Sequence, residues 1–298
     1  MKNVIKYLVV VLGIVIWVSC NSDDENYDPP RPYDEVYYED IAEIEAFLKS
    51  NYVTYDADYN VEFHQVTNGE TAIWDMGSQL KSMDINIASH GDFTYKLYYL
   101  QLNEGMGESP SIVDSVYIAY KGSYFTLADE VYTETVFENR PTPNWFRLDE
   151  TITGWGATLQ NFKSSDGFTI DSDGVVNFSN FGAGVMFIPS GLAYFSASTS
   201  AAPAYTPLIF SFKMYEQFYR DHDLDNVLSK YEISNDPYNN PLDTDGDGYY
   251  DYGDPDDDGD GKLTKNEVTY DVDNNVIIPF DDCDGDGIPN YLDTSDGC

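Results

Sequence analysis

Apolar residues recur at helical spacing only briefly. In the stretch 39–51, Ile41, Ile44 and Leu48 fall on one face, which predicts a short amphipathic helix with Asp40 placed to cap it. From 53 to 92 the pattern is weak, with some alternation at Val61–Val66. From Tyr95 the chain turns to β-branched and aromatic runs, and Tyr95–Leu102, Val113–Tyr120, Thr133–Phe137, Gly184–Ile188 and Leu208–Tyr215 are predicted strands. Turn signals at 103–107, at Asn139-Arg140-Pro141 and at 164–167 separate them. Residues 218–235 read as a connecting helix or linker. There is no helical repeat or coiled coil, so the expected class is α+β with an antiparallel sheet.

A further apolar run, Tyr7–Val18, follows Lys2 and Lys6. It is too short to span a bilayer and fits the apolar region of a signal peptide. It closes on Val18-Ser19-Cys20, which resembles a lipoprotein cleavage box, although Trp17 stands where an aliphatic residue is usual. The resemblance implies a signal peptide over 1–19 and a lipidated Cys20, whose several acyl chains would anchor the chain stably. Asn21-Ser22-Asp23-Asp24-Glu25 resembles the surface-export signal of lipoproteins in one group of Gram-negative bacteria. The implied location is the cell envelope, as a surface-exposed outer-membrane lipoprotein tethered by residues 20–37.

Charge changes the picture at the other end. The net charge is −38, which repels nucleic acid and anionic lipid and leaves divalent cations as natural counterions. Residues 235–298 hold 19 of the 53 acids against only Lys262 and Lys265, marking a separate acidic unit. The scattered His64, His90 and His222, with Cys20, Cys283 and Cys298, form neither a zinc spacing nor a nucleophile–base set.

Within the acidic unit, Asp256, Asp258, Asp260, the Lys262 carbonyl, Thr264 and Glu267, with Gly261 at the sixth position, meet the twelve-residue pattern of a calcium loop in full. Asp243, Asp245 and Asp247 with Asp251 and Asp254 repeat the spacing, and Asp282, Asp284 and Asp286 with Asn290 and Asp293 repeat it again. These two resemble thrombospondin type 3 repeats. The expected cofactor is structural Ca2+. In an oxidising envelope Cys283 and Cys298 are expected to form a disulfide, worth on the order of 3 kcal/mol by loop entropy, with Cys20 taken by lipid. The tail reads as an appended unit, so calcium is not expected to alter chemistry elsewhere.

Six motifs, in order, carry a second resemblance: Leu97-Tyr98-Tyr99-Leu100 with the turn at 104–110, Val116–Gly122, Val136-Phe137-Glu138-Asn139, Ile152-Thr153-Gly154-Trp155, Phe187–Tyr194, and Leu208–Phe212. Together they resemble the FKBP-type peptidyl-prolyl cis–trans isomerases. The resemblance implies a twisted antiparallel sheet around a short helix beginning near Trp155, over 93–217. It also implies an N-terminal helical extension over 38–92 capable of dimerising; beyond the resemblance, a linker is expected over 218–240 and the calcium repeats over 241–298. The implied pocket walls are Tyr120, Phe137, Glu138, Trp145, Thr151, Ile152, Trp155, Tyr194 and Phe210, with Trp155 as the floor. The Ile152 N–H and the Tyr194 hydroxyl would donate to substrate carbonyls. Departures from the family are Glu138 for Asp, Phe195 for Gly, a lengthened 160–182 segment expected to hold an inserted hairpin, and an Ala- and Ser-rich loop at 196–206.

The implied substrate is a prolyl-containing polypeptide and the implied role a folding helper for exported proteins. The alternatives are a catalytically weak FKBP-fold binding module and a purely structural spacer.

Overall fold

The computed structural model describes residues 29–199, 202–273 and 275–295. The expected signal peptide, Cys20, residues 21–28 of the expected tether and Cys298 lie outside them. Helix α1 (Tyr33–Ser50) follows Pro32 and carries Asp34 and Glu35 in its first turn, where carboxylates oppose the positive helix end. It begins six residues before the expected start. Asp40 is therefore not a cap. It sits within the helix, buried, and accepts the Ser190 N–H (2.7 Å) and the Ser190 hydroxyl (2.6 Å).

Burial pushes the Asp40 carboxyl up to about 7, against the lowering effect of the two Ser190 bonds. A raised folded-state value means that the native chain holds this proton where the unfolded chain has lost it. Its contribution is thus fullest below the unfolded value near 4 and fades as pH rises toward 7. The melting temperature of Asp40→Asn, measured against wild type, should show the difference: the variant loses this component of the pH slope between pH 4 and 7. Parallel curves across that window would refute the assignment.

The main sheet has six antiparallel strands in the order β3-β4-β9-β10-β5-β6. They are β3 (Leu80–Asn86), β4 (Thr94–Asn103), β5 (Ser115–Ala128), β6 (Val131–Arg147), β9 (Gly182–Ile188) and β10 (Leu208–Phe218). Both faces of β9 are buried. Met186 and Ile188 join the core on one side with Trp155, Leu159, Phe210 and Phe212 from helix α2 (Thr153–Leu159) and β10. Val185 and Phe187 join the other side with Phe47 and Leu48 of α1, which cover the sheet from behind.

Two smaller hairpins complete the domain. β1 (Asn51–Tyr55) pairs with β2 (Val61–Gln65), and β7 (Gly167–Ile170) with β8 (Val176–Ser179). The second is the hairpin expected in the 160–182 segment. The span 38–92 is not a separate extension, because β3 pairs with β4 along its whole length and α1 packs on the sheet. β3 escaped detection because it is a half-exposed edge strand with little alternation.

The turn expected at Asn139-Arg140-Pro141 lies inside β6. Pro141 is tolerated there because β6 is an edge strand, where a missing N–H breaks no inner ladder. The reversal is made instead by Asp129 and Glu130, both at positive φ (50° and 63°), as a two-residue hairpin requires.

No α-helix forms between 218 and 240, and the segment is not a free linker. The Arg220 N–H binds buried Asp114 (2.9 Å), whose carbonyl accepts the Leu148 N–H (2.9 Å). From 221 onward the chain makes four loops of one design: 221–232, 243–254, 256–267 and 282–293. In each, the fourth and sixth residues have positive φ: Leu224 and Asn226, Gly246 and Gly248, Gly259 and Gly261, Gly285 and Gly287. In each, the ninth side chain accepts the second backbone N–H: Ser229 from His222, Asp251 from Thr244, Thr264 from Asp257, and Asn290 from Cys283. A 3-10 turn follows each time. Sequence reading found three of the four. The first was hidden because Leu224 and Asn226 occupy the positions that glycine marks in the others.

Candidate active site

The concave face of the sheet gathers five aromatic rings. Trp155, at 4 % exposure, meets Tyr120 edge to face (4.8 Å between centroids, 88°), Phe210 (5.3 Å, 84°) and Phe146 (5.7 Å, 63°). Phe137 meets Phe210 edge to face at 5.7 Å. These are the favoured quadrupolar arrangements of aromatic pairs. Gly122 lets the rings approach: a Cβ there would lie 2.7 Å from Phe137 and 2.8 Å from Phe210. Gly154 likewise lets α2 sit on Ile188.

Polar groups line the same place. The Tyr120 hydroxyl donates to Glu138 (2.8 Å), and the Arg140 Nε–H donates to the other Glu138 oxygen (2.6 Å). The longer Glu138 side chain therefore still reaches Tyr120. Burial first, and the Glu138 bond second, raise the Tyr120 hydroxyl above its usual range, so it stays a donor. Tyr194 stands 38 % exposed, its hydroxyl raised by burial and by the Glu138 charge, and it makes no side-chain hydrogen bond among the described residues. The Ile152 N–H, just before α2, is likewise uncommitted among them. The Trp155 indole N–H is buried without a partner among them. The Thr151 hydroxyl donates to the Leu148 carbonyl (2.9 Å) and so braces the turn that presents Ile152.

The structure thus brings together Tyr120, Phe137, Glu138, Trp155 and Phe210, with half-buried Ile152 packed against the same core. Trp145 does not belong with them. It is 49 % exposed and its ring packs on Tyr117, on the opposite face of β6. Phe146 takes its place. The cause is a bulge. Gly122 pairs with Glu138 and Ser123 with Val136, so Phe137 is the extra residue and both it and Glu138 face the rings. Past the bulge, Phe146 rather than Trp145 shares the face of Glu138.

Phe195 also has a structural reason. Its φ is +48°, a conformation that favours glycine. Its ring stacks on Tyr33 of α1 at 3.9 Å, and Tyr33 stacks on His90 at 3.7 Å. The N-terminal helix thus holds the loop that carries Tyr194.

Two cavities lie beside site residues, the first lined in part by Tyr120 and the second by Thr151. One of about 200 Å3 lies among Ala119–Lys121 and Asn139–Pro141; another of about 250 Å3 lies between Leu148, Thr151 and Thr153 and the tail residues Pro237, Tyr238 and Leu242. The site is placed at the rings because the Trp155 indole N–H is unpartnered there, Ile152 packs against the same core and Tyr194 lies within electrostatic reach of Glu138.

In the tail, three carboxylate clusters form where expected: Asp243, Asp245 and Asp247; Asp256, Asp258 and Asp260; Asp282, Asp284 and Asp286, each with oxygens within 4.8 Å of one another. All-carboxylate oxygen sets suit a hard cation. Glu267 is buried, with its carboxyl pushed up to about 7 by burial and by Asp258, and with Lys262 at 3.4 Å. Asp251, Thr264 and Asn290 turn side-chain oxygens to backbone N–H groups, so their part in each loop is to shape it. Asp254 and Asp293 likewise accept backbone N–H groups, from Asp256 and Ser295. Cys283 is disulfide-bonded; the expected partner, Cys298, is outside the described residues.

No family model matches the chain. The FKBP-type peptidyl-prolyl cis-trans isomerase FkpA of Escherichia coli strain K12 is 30 % identical over 118 residues, 40 % of this chain and 36 % of FkpA. The same figures hold for FkpA of Escherichia coli O157:H7. The chain therefore spans about a third of the length of the curated relatives it matches. Among solved structures, FkpA from Escherichia coli is 27 % identical with a TM-score of 0.32, covering 48 % of this chain and 54 % of that one. A peptidyl-prolyl cis-trans isomerase from Pseudomonas syringae is 19 % identical with a TM-score of 0.35, covering 63 % and 98 %. The chain is similar in sequence to FKBP-type peptidyl-prolyl isomerases.

Proposed function

We propose that the chain is a peptidyl-prolyl cis–trans isomerase and folding helper for exported polypeptides, held at the cell envelope by a lipidated Cys20 and carrying a calcium-ordered tail. The observation that carries this reading is the aromatic bowl floored by Trp155, with the Ile152 N–H and the Tyr194 hydroxyl uncommitted at its edge. An Xaa-Pro amide resists rotation by ~20 kcal/mol, and no bond breaks when it turns. The twisted transition state loses resonance and charge separation. A dry aromatic wall favours it over either planar form, and fixed donors hold the flanking carbonyls. Among the described residues no histidine or cysteine belongs to the core around the rings, which is consistent with that chemistry.

One observation favours the binding-module reading. The Tyr33–Phe195 stack pins the loop beside Tyr194, which suits retention of a ligand more than rapid release. Self-association through 38–92 would use the outer side of α1, where Tyr38 is exposed, or the free edge of β3, since the other side of α1 packs on the sheet.

Exchange NMR on an Ala-Leu-Pro-Phe peptide decides between the two readings. Accelerated cis–trans exchange by the purified chain is the expected result. Peptide binding with exchange at the uncatalysed rate would leave only the binding module.

A further inference from the structure

We propose that Asp223, Asp225, Glu232 and Asp257 form a buried binding site for a divalent cation, calcium by its oxygen-only donor set, that fastens the exit of β10 to the acidic tail. The four carboxylates each offer an oxygen, all within 4.8 Å of one another. Asp225, Glu232 and Asp257 are 1 %, 0 % and 1 % exposed. Both oxygens of Glu232, both of Asp257, and the Oδ2 atoms of Asp223 and Asp225 have no hydrogen-bond partner among the described residues. None of the four is in an ion pair among those residues. Lys230, in the same loop, lies over the Tyr219 ring at 3.3 Å.

The two aspartates of the loop divide their oxygens in a telling way. Asp223 Oδ1 accepts the Asp225 N–H (3.1 Å) and Asp225 Oδ1 accepts the Val227 N–H (2.8 Å). The backbone thus fixes one oxygen of each while the other turns to the shared centre. Burying an unpaired carboxylate costs several kcal/mol, and four together add mutual repulsion. A cation is the partner that lets all four remain ionised. Calcium accepts such a flexible, carboxylate-rich cage, whereas magnesium keeps most of its water.

The site differs from the three tail clusters in two respects. Each of those has at least one exposed carboxylate, and each draws on one loop. Here Asp257 comes from the loop 256–267 and the other three from the loop 221–232. Arg220, next to that loop, binds Asp114, which binds Leu148 at the start of the turn leading to Ile152. The ion would therefore close a joint between the sheet and the tail.

The inference rests on the reading of the tail as calcium-binding only for the choice of ion. The test is a calcium titration of the full chain followed by native mass spectrometry, with Glu232→Gln/Asp257→Asn beside wild type and Glu267→Gln as a control on the outer loop 256–267. The double variant is expected to bind one ion fewer than wild type. Because it removes two buried charges without changing shape, its calcium-free form should melt no lower than calcium-free wild type. Asp225→Asn, which keeps the acceptor for Val227, is read in the same way should the double variant not fold. Equal ion counts in wild type and variant would overturn this site while leaving the outer loops, scored by Glu267→Gln, to stand or fall separately.

Discussion

Trp155→Ala is expected to abolish prolyl acceleration and to lower the unfolding free energy by about 3–5 kcal/mol, the usual cost of emptying a buried large aromatic site. Trp155 touches Tyr120, Phe146 and Phe210, so its removal opens the centre of the bowl and leaves only Tyr120 to bridge the other two rings. Stability and turnover fall together in that variant, so it cannot separate the two by itself. Tyr194→Phe does. Its hydroxyl is bonded to nothing among the described residues and its ring is 38 % exposed, so stability should change by less than about 0.5 kcal/mol. If the hydroxyl holds a substrate carbonyl in the twisted state, the loss of one hydrogen bond, about 0.5–1.5 kcal/mol, should slow exchange roughly two- to tenfold. Exchange NMR and thermal melts on both variants check this. Unchanged exchange in Tyr194→Phe would remove that hydroxyl from the mechanism, and unchanged exchange in a folded Trp155→Ala would remove the bowl itself.

How far the sequence foretold this site depends on local geometry. Motifs with rigid backbone requirements were legible: Gly122 and Gly154 are needed because rings or Ile188 crowd the place of a Cβ. The strands flanking them could be read from β-branched and aromatic runs. The faces of β6 could not, because the bulge at Phe137 shifts the alternation and nothing in the residue types marks it. Tertiary pairing also overrode local signal at β3, whose place beside β4 comes from an edge position rather than from its own pattern. Asp40 looked like a cap because it preceded the apolar face. It is instead a buried acceptor for Ser190, a role visible only once residues 150 positions apart are brought together. The four loops of the tail show the converse. Where glycine marks the turns the loops are plain in the sequence, and where leucine and asparagine adopt the same positive φ the residue types read as a linker.

Chelation of calcium from the intact chain should unfold the tail while the six-stranded domain stays folded. The tail's own apolar cluster is small: Val227, Val268 and Tyr291 are buried, with Tyr270, Val276, Phe280 and Leu292 packed beside them. That is little to hold four loops whose carboxylates crowd within 4.8 Å in each cluster. In such a unit the free energy of ion binding is in effect the free energy of folding. Each site that is saturated at a hundred times its dissociation constant adds about 2.7 kcal/mol, so several sites together dominate the balance. Two-dimensional amide NMR with and without a chelator is the measurement. Amide signals of 243–295 should collapse toward unfolded positions on chelation and return with calcium, while those of β4, β9 and β10 persist. The turn at Leu148–Thr151 is the region to watch between them, because Asp114 links it to Arg220 at the tail's root. Shifts there would carry the ion's effect toward Ile152 and contradict the expectation that the tail is merely appended. A tail spectrum that ignores the chelator would mean that disulfide-bonded Cys283 and the small apolar cluster suffice without an ion.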